Sequence, residues 1–209
     1  MRLVAESFAW PFRAGPSTWI WGLVSVLFLP ILFVPLLGYA IAATRSAELY
    51  PTVGPPPWRF PLHLLWTGGW TSLVLLLTLA PFVLAWNPLA EALSNRVGGE
   101  LNAHVIALFV IALPWGLVAL LLLPHATASF ASTGNPQDLF DLGASLRGVR
   151  GDFATWNVVV AAIVTAWAIG IACAGLLCVG IVPGVFYAIL VSAHAAAALR
   201  REGQSSSAR

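Results

Sequence analysis

Four apolar blocks, roughly residues 19–44, 64–86, 103–134 and 154–199, hold none of the chain's ten arginines or eight acidic residues, and there is no lysine. Placing one charge at the centre of a bilayer costs at least about 2.5–3.5 kcal/mol. Charge-free runs of this length therefore predict helices solvated by lipid. Composition agrees, because only 9% of the 209 residues are charged and mean hydropathy is +0.88, against about 25% charged in a soluble domain. Such a chain cannot cover its surface with polar groups. The fold class is all-α, a polytopic integral membrane helix bundle.

A net charge of +2, with no basic patch interleaved with aromatics, argues against a nucleic-acid partner. Cys173 and Cys178 are five residues apart inside one apolar block. On a helix they face different ways, so they predict packing rather than a disulfide, a redox motif or a zinc site. "AIAA" at 40–43 resembles a signal-peptidase site. The apolar run before it is longer than the ~7–15 residues of a signal peptide, so no cleavage is expected.

Residues 1–18 mix Leu3, Val4, Phe8, Trp10 and Phe12 with Arg2, Glu6 and Arg13, which suits an interfacial segment. Ser17 is placed to cap the next helix. Residues 19–200 form one transmembrane domain with crossings at about 64–86, 104–127, 154–178 and 184–200. "NPLAEALSNRVGGELN" after Trp86 reads as a polar turn. The 46-residue last block is too long for one span of a ~30 Å core, and "CVGIVPG" at 178–184 supplies the break. Residues 201–209 read as a flexible tail.

The stretch 19–45 carries Pro30 and Pro35 and has two readings. As a single tilted crossing, it leaves three arginines on one side of the membrane and seven on the other. As a re-entrant hairpin, it leaves nine on one side and only Arg96 opposite. Short cytoplasmic loops collect arginine, so the count favours a hairpin with apolar arms of about 12 residues. Both termini are then cytoplasmic, in a multi-pass protein of the cell membrane.

Leu139, Leu142, Leu146, Val149 and Phe153 recur every three or four residues, one stripe of a surface helix over 136–152. Asn135 is its natural N-cap and Pro136 its first residue. The stripe reads either as a plain connector or as an interaction surface. His125 and His194 both lie toward the cytoplasmic ends of their helices and form a possible polar pair. A proton relay or metal site there needs a carboxylate, and neither helix carries one; a hydrogen-bonded structural histidine is the other reading. Asp138 and Asp141 fit an acidic pair or favourable charges near a helix start. No catalytic, cofactor-binding or metal residue is assigned, and no cofactor is expected.

Several segments together resemble an uncharacterised bacterial and archaeal membrane family, domain of unknown function 4013. They are "SFAWPFR", "WIWGL", "LLGYAIAATR", "LLWTGGW", "FASTGNPQDLFDLG" and "VGIVPGVFYAILVSAHAAAALRR". The chain departs from the pattern at Ala14 and Gly15 and in "PPPWRFP", where members often carry acidic residues. The resemblance implies the architecture and no mechanism. The expected function is a non-enzymatic scaffold or auxiliary subunit, packing with the lipid bilayer and with a membrane-protein partner or as a homo-oligomer. The alternative is a small transporter or channel-like homo-oligomer, because proline-broken re-entrant segments line transporter cavities.

Overall fold

The computed structural model describes residues 2–59, 62–94, 99–175 and 180–207. Arg96, Cys178, Arg209 and part of the break expected at 178–184 lie outside them. Among the described residues there are eight α-helices and no strand: α1 (Arg2–Ala9), α2 (Pro16–Leu27), α3 (Leu29–Leu49), α4 (Leu62–Ser94), α5 (Glu100–Thr133), α6 (Leu142–Gly151), α7 (Phe153–Ala172) and α8 (Ile181–Ser207). Five of them, α3, α4, α5, α7 and α8, are long and apolar enough to cross a membrane. That is the pattern of a multi-pass membrane protein, and it implies contact with lipid.

Residues 19–45 turn back on themselves. α2 ends at Phe28, where φ −100° and ψ 36° leave the helical region. α3 starts at the next residue and puts Pro30 in its first turn, where a missing N–H breaks no intrahelical bond. Gly22 in α2 and Tyr39 in α3 both lie against the ring of Phe186. An unbroken helix would hold them about 26 Å apart. Two details differ from expectation. The apex falls at Phe28, before both prolines, and Pro35 stays buried inside α3. Gly15 and Pro16 begin α2, so Ser17 sits within its first turn and does not cap it.

Glycine lets the next helix approach. A Cβ at Gly38 would lie 2.0 Å from the Leu64 carbonyl oxygen, and one at Gly68 would lie 2.0 Å from that of Val34. The backbones of α3 and α4 therefore touch, antiparallel, through the absence of side chains. Gly170 of α7 and Gly184 of α8 do the same, with a Cβ 2.7–2.8 Å from the opposite carbonyl. α8 runs alongside α3 in the same direction. Leu36, Tyr39, Ala43 and Ala47 share a core with Phe186, Leu190, Ala193 and Ala197.

α4 and α5 form the longest hairpin, 33 and 34 residues, each roughly 50 Å long. Indole groups join them: Trp86 donates to the His104 carbonyl at 3.0 Å, and Trp115 donates to that of Thr78. The sequence predicts a polar turn over 87–102, but α4 continues to Ser94 and α5 begins at Glu100. Asn87–Pro88 does not stop α4; Pro81 and Pro88 lie inside it, as Pro114 and Pro124 lie inside α5. At the far end, α8 runs to Ser207, through the tail that composition predicts as flexible.

The N-terminal helix lies on the C-terminal half of α8. Leu3, Val4 and Phe8 pack against a cluster that includes Val159, Ala195, Ala198 and Leu199. Arg13 donates to the Thr52 carbonyl at 3.0 Å, in the link between α3 and α4. α1, the end of α8, residues 50–59 and α6 thus gather at one end of the bundle, and Ser94 and Gly99, where α4 stops and α5 is about to start, lie at the other. Every described arginine is at the first end.

Candidate interaction surface and polar sites

Two aspartates divide the stripe predicted over 136–152. Asn135 accepts from the Gln137 N–H at 3.1 Å and starts a 3-10 turn, Pro136–Leu139. Asp141 then caps α6, accepting from the Ala144 N–H at 2.7 Å, and Asp152 caps α7, accepting from the Thr155 N–H at 3.1 Å. One expected helix is therefore a turn, a short helix and the start of a span. Asp138 is not paired with Asp141; it accepts from the Thr133 hydroxyl at 2.5 Å.

The stripe divides by neighbours as well. Leu139 and Val149 are buried, Leu139 in the cluster of Ile41, Val74 and Phe130. Leu142, Leu146 and Phe153 are exposed, at 54%, 38% and 59%, and Phe140 beside them is also exposed. α6 turns Ser145 and Val149 inward and rests Gly148 on the His125 ring, where a Cβ would be 2.6 Å from Cε1. Leu142 and Leu146, one turn apart, form its outer edge.

The two histidines have separate surroundings. His194 is buried with its Nδ1 2.9 Å from the Ser7 hydroxyl, and its ring lies 5.3 Å from that of Trp10. His125 lies under α6, near Arg200 and Asp152. Its Nε2 is buried with no hydrogen-bond partner among the described residues. α8 turns one face to α1 and another toward α5, so the expected pair is not brought together. Among the described residues no group of three His, Cys, Asp or Glu side chains is placed to hold a metal. Cys173 is a half-buried free thiol.

Two cavities follow one seam between α3, α4 and α5. The outer one, about 260 Å³, lies at the arginine-rich end and is lined by Arg45, Ser46, Tyr50, His63 and Thr67 among others. The inner one, about 330 Å³, is bounded also by α7 and α8, and its walls are apolar. Thr44, Thr71 and Thr127 reach it, but each hydroxyl donates to a carbonyl one turn back in its own helix. Ile41 borders both cavities. Neither cavity is evident from sequence, because no single helix carries its pattern.

A family model described as Protein of unknown function (DUF4013) matches residues 23–190. The chain belongs to the DUF4013 family. Within this DUF4013 protein the match begins inside α2 and ends inside α8, so it includes the apex at Phe28, the outer cavity, α6 and the inner cavity's lining apart from Ser192, Ala193 and Ala196. Ser7, Trp10 and His194 lie outside it. Neither a curated protein nor a solved structure matches the chain.

Proposed function

We propose that this DUF4013 protein is a non-catalytic scaffold or auxiliary subunit that docks a second membrane protein along the outer edge of α6. The exposure of Leu142 and Leu146 carries this reading. They lie outside the helices long enough to cross a membrane, flanked by exposed Phe140 and Phe153. Covering a leucine is worth about 1.5–3 kcal/mol, enough for two to anchor an interface. The edge is held in place by Asp141 at the start of the helix and by buried Val149 near its end.

The topology that goes with this reading has both termini in the cytoplasm and the α2–α3 hairpin entering and leaving on that side. The gathering of arginines at one end of the bundle supports it. The apex supports partial insertion as well. Leu36 packs level with Gly68, and Phe28 is roughly 12 Å further along α3, which brings it level with Leu76 of α4. α4 continues about 15 Å beyond that level to Trp86. Transport is the weaker alternative, because the inner cavity offers apolar walls rather than a polar path.

The test is co-purification from native membranes in mild detergent. Leu142→Asp with Leu146→Asp is expected to release a stoichiometric partner while the chain stays monodisperse. An unchanged complex, or a wild-type chain that elutes alone, overturns the proposal. A homo-oligomer with measurable flux would favour the alternative.

A further inference from the structure

The two cavities are stacked in series along the same three helices. On α3 the lining passes from Arg45 to Ile41 and on to Leu37; on α4 it passes from His63 and Thr67 to Thr71 and Val74. On α5 it passes from Ala131 to Thr127 and Leu123. Polarity changes once along this path. The outer part holds a guanidinium, an imidazole and a phenol, and the inner part presents hydrocarbon. Arg45 is exposed, with no hydrogen bond or ion pair to another described residue. Among the described residues that line the outer cavity, it is the only fully charged side chain.

A charged end and an apolar interior in line match a molecule with an anionic head and a hydrocarbon chain. We propose that the seam binds one glycerophospholipid, its phosphodiester on Arg45 with His63 and Tyr50 beside it, and one acyl chain passing Ile41 into the inner cavity. The guanidinium supplies charge-assisted hydrogen bonds to phosphate oxygens. His63 and Tyr50 each offer a further donor. The inner volume of about 330 Å³ falls in the range of small-molecule pockets, about 300–1,000 Å³. Its three threonine hydroxyls are already satisfied, so a chain entering there leaves none of them newly unpaired. The remaining polar lining group, Ser192, has no hydrogen-bond partner among the described residues with or without the chain. The proposal is independent of α6, whose outer edge is formed by different residues.

The test is native mass spectrometry of the delipidated full chain in neutral detergent, titrated with three probes. They are a phosphatidylglycerol, the diacylglycerol with the same acyl chains, and glycerol 3-phosphate. One phosphatidylglycerol per chain is expected, with diacylglycerol and glycerol 3-phosphate each binding at least tenfold more weakly. Arg45→Ala should lower phosphatidylglycerol affinity at least tenfold. Ala119→Phe, which fills the inner cavity, should do so with Arg45 intact; if that variant does not fold, Arg45→Ala and the three probes still decide. Equal binding of diacylglycerol reduces the site to a grease-filled cleft, and equal binding of glycerol 3-phosphate reduces it to an anion site. Either result, or unchanged affinity in Arg45→Ala, overturns the proposal.

Discussion

Thr18 and Tyr39 both donate to the carbonyl oxygen of Pro56, at 3.4 and 2.9 Å. In one continuous helix these side chains would stand about 31 Å apart. Their convergence ties α2, α3 and the following link into one unit, with Tyr39 stacked on Trp58 at 4.1 Å between ring centroids. Removing the shorter bond is the cleaner test. Tyr39→Phe keeps the stack and is expected to cost about 0.5–1.5 kcal/mol, read as a lower unfolding midpoint in detergent. Thr18→Val, which loses the longer bond, should cost less.

The glycine contacts between α3 and α4 make a sharper prediction. Gly68→Ala places a methyl group against the Val34 carbonyl, and overpacking of this kind costs about 1–3 kcal/mol. Gly69→Ala, one residue along, meets nothing within 4 Å. It should be neutral or should stabilise α4 by up to about 1 kcal/mol. Thermal unfolding of the two variants side by side checks both signs.

Ser7 and His194 join the N-terminal helix to α8. Ser7→Ala leaves the buried Nδ1 without its hydroxyl, a cost of about 1–3 kcal/mol. The loss should be local. Protease cleavage within residues 2–15 should accelerate before global unfolding does, whereas equal protection of wild type and variant would show that the contact is not holding α1.

Asp141 sets where α6 begins. Asp141→Ala should weaken the helix by about 0.5–2 kcal/mol and raise amide exchange in 142–146, with α5 and α7 unaffected. Asp141→Asn, which keeps an accepting oxygen, should restore most of the protection.

The helices were legible because lipid excludes charge, so the empty stretches between arginines mark α4, α5, α7 and α8. The turn at Phe28 was legible in part, through the nine-to-one arginine count. Its position was not, because Pro30 belongs to the first turn of α3 rather than to the break. Periodicity placed Leu139, Leu142, Leu146, Val149 and Phe153 on one stripe, yet Leu139 and Val149 are buried while the other three are exposed. A repeat of three and four describes a helix; it does not say where Asp141 and Asp152 will interrupt it. His125 and His194 fail to meet for a related reason. Depth along a helix can be read from sequence, whereas the face presented to a neighbour depends on which helices pack there. The Gly38–Gly68 and Gly170–Gly184 contacts, and both cavities, belong to pairs of helices and leave no mark on either one alone.

In the proposed topology the chain turns back at Phe28 and its N-terminus shares a membrane face with α6. That topology is tested most directly by labelling single cysteines with a membrane-impermeant maleimide in intact cells, after replacing Cys173 and Cys178 with serine. Ala5 and Gly151 are both exposed at the arginine-rich end, and Gly99 is exposed at the other. Gly99→Cys is expected to react from outside, while Ala5→Cys and Gly151→Cys react only after permeabilisation. Reaction of Ala5→Cys from outside together with Gly99→Cys would contradict that topology.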